Sequence, residues 1–331
     1  MAKPSGQTLF LLAAISGSAA LLGGIALMYE NQGLAGNPST TSPLTLSQIP
    51  FDGTQAYEYL KQICDLGPRP SASPGMLAQQ KLLIDHFQKL GGRVKLQQFR
   101  VRHPLDGSAV RMANMIVSWH PERKNRILLC AHYDTRPFPD QDPVNPRGTF
   151  LGANDGASGV ALLMEMGRHM PKLEGKLGVD FVFFDGEEFI YNDDTDVYFL
   201  GSEYFAREYA AGNLEGRYRW GVLLDMVADK DLQLYEEGNS IGWRDTRPLV
   251  KEIWDTAANL RVREFIARPK HELRDDHLPL HNTGKISAID IIDFDYPYWH
   301  TEADTPDKCS ALSLAKVGWV VHTWLTKAVR K

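Results

Sequence analysis

The chain has 331 residues, 43% of them hydrophobic and 23% charged, enough to bury a large core without disulfides or structural metal. Its net charge is -5 and no long basic run occurs, which excludes nucleic acid as the main partner, because phosphate binding needs clustered Lys and Arg. No internal repeat of about 20–50 residues is visible, so solenoids and propellers are excluded as well.

From Thr8 to Tyr29 no residue is charged. A helix of that length, at about 1.5 Å per residue, spans roughly the 30 Å core of a bilayer. Lys3 precedes the stretch and Glu30 follows it, which keeps the positive end in the cytoplasm. Residues 1–30 are therefore expected to be an N-terminal membrane anchor. A cleaved signal segment is the alternative, but the stretch is long and no clean Ala-x-Ala site follows. Residues 31–50, rich in Ser, Thr, Pro, Gly and Asn, read as a flexible linker. Residues 51–331 form one catalytic domain, expected to be extracytoplasmic (periplasmic or extracellular), and secreted if the leader is cleaved.

Within the domain, Asp52 is placed to cap a helix running to about residue 65, with Ala56, Tyr59, Leu60 and Ile63 on one face. Ser73-Pro74 opens a second helix that Gly91-Gly92 ends. Strand-like runs at 115–119, 126–131, 179–184, 221–224 and 288–294 then alternate with helical segments at 157–169, 202–209, 248–260 and 312–329. The alternation predicts an α/β sandwich with a largely parallel sheet, whose ligands bind at the carboxyl ends of the strands. Of the three cysteines, Cys130 sits in an apolar strand and reads as a buried thiol. That leaves Cys64–Cys309 as a possible bridge, with three unlinked thiols as the alternative.

Charged residues gather at those strand ends. The 126–131 run leads into His132-Tyr133-Asp134, and Asp155 lies in a Gly-Ala-Asn-Asp-Gly-Ala turn before a helix. The 179–184 run ends in Asp185-Gly186-Glu187-Glu188, the 221–224 run in Asp225, and the last leads to Trp299-His300-Thr301. Any one of these reads as a solvated loop residue; five at equivalent places do not. So many acids at one rim are costly to bury without a cation. Two imidazoles with several carboxylates suit zinc, which keeps an open position when catalytic. Adjacent residues in an extended segment point opposite ways, so of Glu187 and Glu188 one is expected to bind metal and the other to act as general acid/base. Asp134, two residues after His132, is expected to orient that imidazole. His271-Glu272 opens like a His-Glu-x-x-His zinc motif, but Asp275 stands where the second His belongs. No nucleophile elbow, phosphate loop or dinucleotide fingerprint is present.

These motifs in order, His132-Tyr133-Asp134, Gly152 through Gly159, Phe184 through Glu188, Leu224-Asp225 and His300-Thr301, resemble the signature of the zinc aminopeptidase (M28-type) superfamily. The resemblance runs from Gly67 to Asp307 and implies a three-layer αβα sandwich with a mostly parallel, mixed central sheet. It implies either of two chemistries. Aminopeptidases of the superfamily hold two zincs, which would put His132 and Asp225 on one, Glu188 and His300 on the other, and Asp155 between. Glutaminyl-peptide cyclotransferases hold one, which would leave Asp155, Glu188 and His300 as ligands and Glu187, Asp225 and Asp275 as catalytic groups. Asp275-Asp276-His277 and Trp299, whose indole would line the glutamine pocket, are similar to the cyclase branch. Asp193 and Asp295 depart from the animal cyclases, which carry Trp and Phe there, and no Cys follows Asp155. The resemblance thus implies an enzyme that converts the N-terminal glutamine of peptides to pyroglutamate with release of ammonia. The alternative is an aminopeptidase that hydrolyses N-terminal residues; a catalytically silent binding domain fits poorly with so complete a set of metal and base residues.

Overall fold

The computed structural model of the chain describes residues 41–331. In chain order its elements are α1 Gly53–Cys64, α2 Pro74–Lys89, β1 Arg93–Arg102, β2 Ala109–Trp119, β3 Asn125–His132, α3 Ala157–Gly167, β4 Gly178–Phe184 and α4 Leu200–Ala210. They continue with β5 Arg217–Asp225, β6 Leu234–Glu236, α5 Gly238–Gly242, α6 Arg247–Asn259, β7 Phe265–Pro269, α7 His277–Asn282, β8 Ala288–Ile292 and α8 Ala311–Ala328. The expected caps operate: the Asp52 carboxylate accepts from Gln55 N at 2.9 Å and Ser73 Oγ from Met76 N at 3.1 Å, with Pro74 in the first turn.

Six strands form one sheet in the order β1-β2-β4-β3-β5-β8, with β6 and β7 as a separate small pair. The β4/β3, β3/β5 and β5/β8 pairings are parallel, whereas β1 and β2 run antiparallel at one edge. β1 was not anticipated. Its Arg and Lys residues interrupt the apolar signal, as suits a solvent-facing edge strand. Side chains alternate across β3. Ile127, Leu129 and Ala131 enter the large core shared with α1, α2, α3, α6 and α8, while Leu128 and Cys130 pack beneath Phe205 of α4 and Leu280 of α7. That gives helices on both faces of the sheet, the αβα sandwich. Each buried Leu, Ile or Phe contributes about 1.5–3 kcal/mol relative to exposure. Register then aligns the strand ends: His132 lies opposite Phe184, and Asp225 opposite Ile292, so β3, β4, β5 and β8 release their following loops at one edge.

Two expectations change. Cys64, Cys130 and Cys309 are all free and buried, so the Cys64–Cys309 bridge is not formed; burial pushes the Cys64 thiol up to about 12. The domain also begins earlier than residue 51. Ser42 donates from backbone and hydroxyl to Glu264, itself paired with Lys316 at 2.5 Å, and Ile49 is buried. These polar anchors lie more than two hundred residues away in sequence and leave no local signal. The expected membrane anchor lies outside the described residues, among which no helix is long and apolar enough to cross a membrane.

Candidate metal centre and active-site pocket

The five strand-end motifs converge. His132, the last residue of β3, places Nε2 3.1 Å from Asp225 Oδ1 and 3.2 Å from Asp155 Oδ1. His300 places Nε2 3.0 Å from Glu188 Oε1 and 3.5 Å from Asp155 Oδ2. Two buried three-residue groups result, His132–Asp155–Asp225 and Asp155–Glu188–His300, sharing Asp155. Both are suited to a metal ion, and within each the donor atoms lie within 4.8 Å of one another. Tetrahedral zinc with bonds of ~2.0–2.2 Å needs donors ~3.3–3.6 Å apart, close to the spacings found. Asp155 Oδ2 is buried without a hydrogen-bond partner, which a cation would supply. The donor set fits.

Local backbone accounts for the convergence. Gly156, at φ 95, follows Asp155 directly; a Cβ there would meet Asp134 O at 2.8 Å and the His132 ring at 3.2 Å. Only glycine lets the Asp155 turn pass beneath His132. His300, Met226 and Phe199 adopt left-handed φ of 54, 47 and 60, a strained conformation for such residues, and all three line the same pocket. Asp304 fixes the turn from the other side by accepting from Asn154 N at 2.8 Å and Asp155 N at 3.1 Å. Sequence reasoning missed Asp304, which stands apart from every strand end.

Asp134 acts differently from the expectation. His132 Nδ1 meets the Asp134 backbone oxygen at 3.2 Å, while the carboxylate, 3.9 Å off, instead accepts from Glu187 N at 3.3 Å and Glu188 N at 3.1 Å. It therefore shapes the turn that separates the two glutamates. The partner of His300 is Asp140, whose Oδ1 lies 3.0 Å from Nδ1, another residue the sequence did not single out.

The pocket above these groups has a volume of about 350 Å³ and is lined by Glu187, Glu188, Asp155, Asp225, Asp275, Trp299 and His300, among others. Eight carboxylates but only two arginines, Arg136 and Arg274, face it, a surplus that favours cations. Trp299 stacks on His300 with ring centroids 3.8 Å apart and meets Phe294 edge-on at 5.2 Å. Asp275 is buried, its side chain paired with that of buried Asp290. A larger concavity of about 490 Å³, lined by Pro50, Arg168, His169 and His322, lies elsewhere and includes neither metal-suited group.

Electrostatics differentiate the acids. Burial, then Glu188, raises the Glu187 carboxyl well above its ordinary range. Burial, then Asp225 and Asp276, does the same for Asp275. Burial opposes charge on Glu188 too, but His300 and Arg136 outweigh it and hold that carboxyl below the usual range. His300 behaves as the mirror case: burial disfavours its charge, yet Glu188 and Asp140 lift it to about 10. Two adjacent glutamates thus differ sharply in proton affinity, the arrangement needed for one ligand and one proton carrier.

An α/β fold with a buried imidazole–carboxylate cluster at the carboxyl edge of its parallel strands defines a class, the metal-dependent enzymes of zinc-exopeptidase architecture. The model of peptidase family M28 matches residues 114–325, and the chain belongs to that family. Among solved structures it is similar to the glutaminyl cyclase of Fimbriiglobus ruber, with 40% identity, a TM-score of 0.81, and coverage of 89% of this chain and 100% of that one. A leucine aminopeptidase precursor from Bacteroides thetaiotaomicron is also similar, at 33% identity and TM-score 0.76, covering 82% and 96%. The glutaminyl-peptide cyclotransferase of Drosophila melanogaster shares 23% identity over 269 residues, 74% of this chain and 73% of that protein.

Proposed function

We propose that this protein is a zinc-dependent glutaminyl-peptide cyclotransferase, converting the N-terminal glutamine of peptides or proteins to pyroglutamate with release of ammonia. The observation that carries the reading is the pocket wall. Buried Asp275 lines the same pocket as the Asp155–Glu188–His300 group and Trp299. The likeness to cyclases over nearly the whole chain supports it.

In this reading Asp155, Glu188 and His300 hold one zinc. Zinc bound there supplies Lewis-acid polarisation of the γ-carboxamide oxygen and stabilises the charge that develops on it. Glu187, its proton affinity raised by burial, accepts a proton from the α-amine as that nitrogen bonds to the γ-carbon. As the γ-amide C–N bond breaks, Glu187 passes the proton to the departing nitrogen, which leaves as ammonia. Asp225 and Asp275, which line the same pocket, hold the leaving nitrogen. Trp299 packs on the glutamine side chain. The attack is intramolecular, so orientation in the pocket replaces a water nucleophile. The domain is read as tethered outside the cytoplasm by residues 1–30.

The His132–Asp155–Asp225 group favours a second reading, hydrolysis by a two-zinc aminopeptidase with Glu187 as general base. Incubating the purified protein with Gln-peptides and Leu-peptides separates the two. Ammonia and pyroglutamyl peptide, with one zinc per chain, are expected. Free leucine with two zincs per chain and no pyroglutamate would overturn the cyclase reading.

A further inference from the structure

Arg136 sits in the loop after β3, buried despite its charge. Nη1 donates to Glu188 Oε2 at 2.8 Å, Nε lies 2.6 Å from Asp140 Oδ1, and Nη2 contacts Asp193 on the pocket rim. Asp140 Oδ1 in turn lies 3.0 Å from His300 Nδ1. Glu188 keeps Oε1, the oxygen 3.0 Å from His300 Nε2, clear of the guanidinium. One planar, permanently charged fork therefore holds Glu188 directly and His300 through Asp140. A lysine ammonium has no fixed fork and cannot reproduce that geometry. Asp193 is half-exposed, so solvent screens its share of the contact.

We infer that Arg136 is a positioning residue for the metal centre, a yoke that presents Glu188 through Oε1 and fixes the ring of His300, so that zinc meets two ligands already set in place. The inference rests on the ligand set proposed above. Arg136 acts on the ligands, and its effect belongs in zinc affinity. Groups that orient metal ligands typically contribute 10–100-fold to metal affinity.

The test is zinc retention by the full-length chain against a graded chelator at fixed pH, with the thermal midpoint of the zinc-free protein as a fold control. Arg136→Met is expected to weaken zinc affinity by ~10–100-fold. Arg136→Lys, which keeps the charge but loses the fork, should fall between that variant and the parent. Asp193→Ala, which cuts only the rim arm, should hold zinc within about twofold of the parent. Parental affinity in Arg136→Met overturns the inference, and if that variant does not fold, parental affinity in Arg136→Lys overturns it instead. An equal loss in Asp193→Ala also overturns it, because the effect would then come from the rim. His300→Ala, measured alongside, tests the ligand set itself. Zinc retention there sinks the metal-site reading, whereas loss there with none in Arg136→Met sinks only the yoke.

Discussion

Glu187 and Glu188 are neighbours in sequence with opposite electrostatic fates. Glu188 faces two cations, Arg136 and His300, which hold it ionised. The Glu187 side chain reaches only His132 Nδ1, at 3.9 Å, and otherwise faces burial and acids. Glu187→Gln keeps the volume and removes the group proposed to carry the proton. It is expected to lower turnover by at least ~100-fold, the contribution of a positioned acid/base, while zinc content stays at the parental stoichiometry. Metal analysis of the purified variant checks this; loss of zinc would place Glu187 among the ligands.

At the scale of elements, the loop between β3 and α3 carries most of the site. It contributes Asp134, Arg136, Asp140 and Asp155, and it is held at both ends, Arg69 N donating to Thr135 Oγ1 at 2.9 Å near its start. The Arg69 guanidinium, wholly buried, donates to Leu151 O at 3.0 Å and Gly152 O at 3.0 Å, and Asp304 accepts from the following amides. Gly156 closes it in a conformation that costs an L-residue roughly 1–2 kcal/mol, before the clash of a Cβ with Asp134 O at 2.8 Å is counted. Gly156→Ala should therefore lower the urea midpoint by at least that equivalent and displace Asp155 enough to weaken zinc retention. An unchanged midpoint with unchanged zinc binding would show that the turn is not the constraint.

For the whole molecule, burying this many acids at one sheet edge is costly unless a cation offsets their charge. Burial, then Asp155, raises Asp304 to about 7, and Glu188 and Asp140 lift His300 to about 10 against the effect of burial. Both folded-state values lie above the unfolded ones, so both groups contribute stability that is present at low pH. That contribution is lost as pH rises, through about 7 for Asp304 and toward 10 for His300. Zinc requires deprotonated ligands, so its binding runs the other way, releasing protons and tightening with pH. The difference in thermal midpoint between zinc-loaded and chelator-treated protein should widen from pH 5.5 to pH 8. A difference that is constant or shrinks on that scale would mean that the buried acids do not communicate with the metal site.

The sequence by itself determined the layered α/β architecture, because period-2 and helical runs alternate and caps such as Asp52 and Ser73-Pro74 act over three residues. It also determined which edge the chemistry gathers at, since parallel strands release their loops at a common edge, and His132, Asp155, Glu188, Asp225 and His300 meet there. Tertiary structure alone decided who holds those residues. Asp304 reaches Asp155 across 149 positions, Arg136 reaches Glu188 across 52, and Asp134 turned its carboxylate from His132 to the Glu187–Glu188 amides. The same holds for the charged edge strand β1 and for Ser42 on Glu264. Hydrogen bonds between distant loops depend on final distances of a fraction of an ångström, and no local pattern of polarity encodes them.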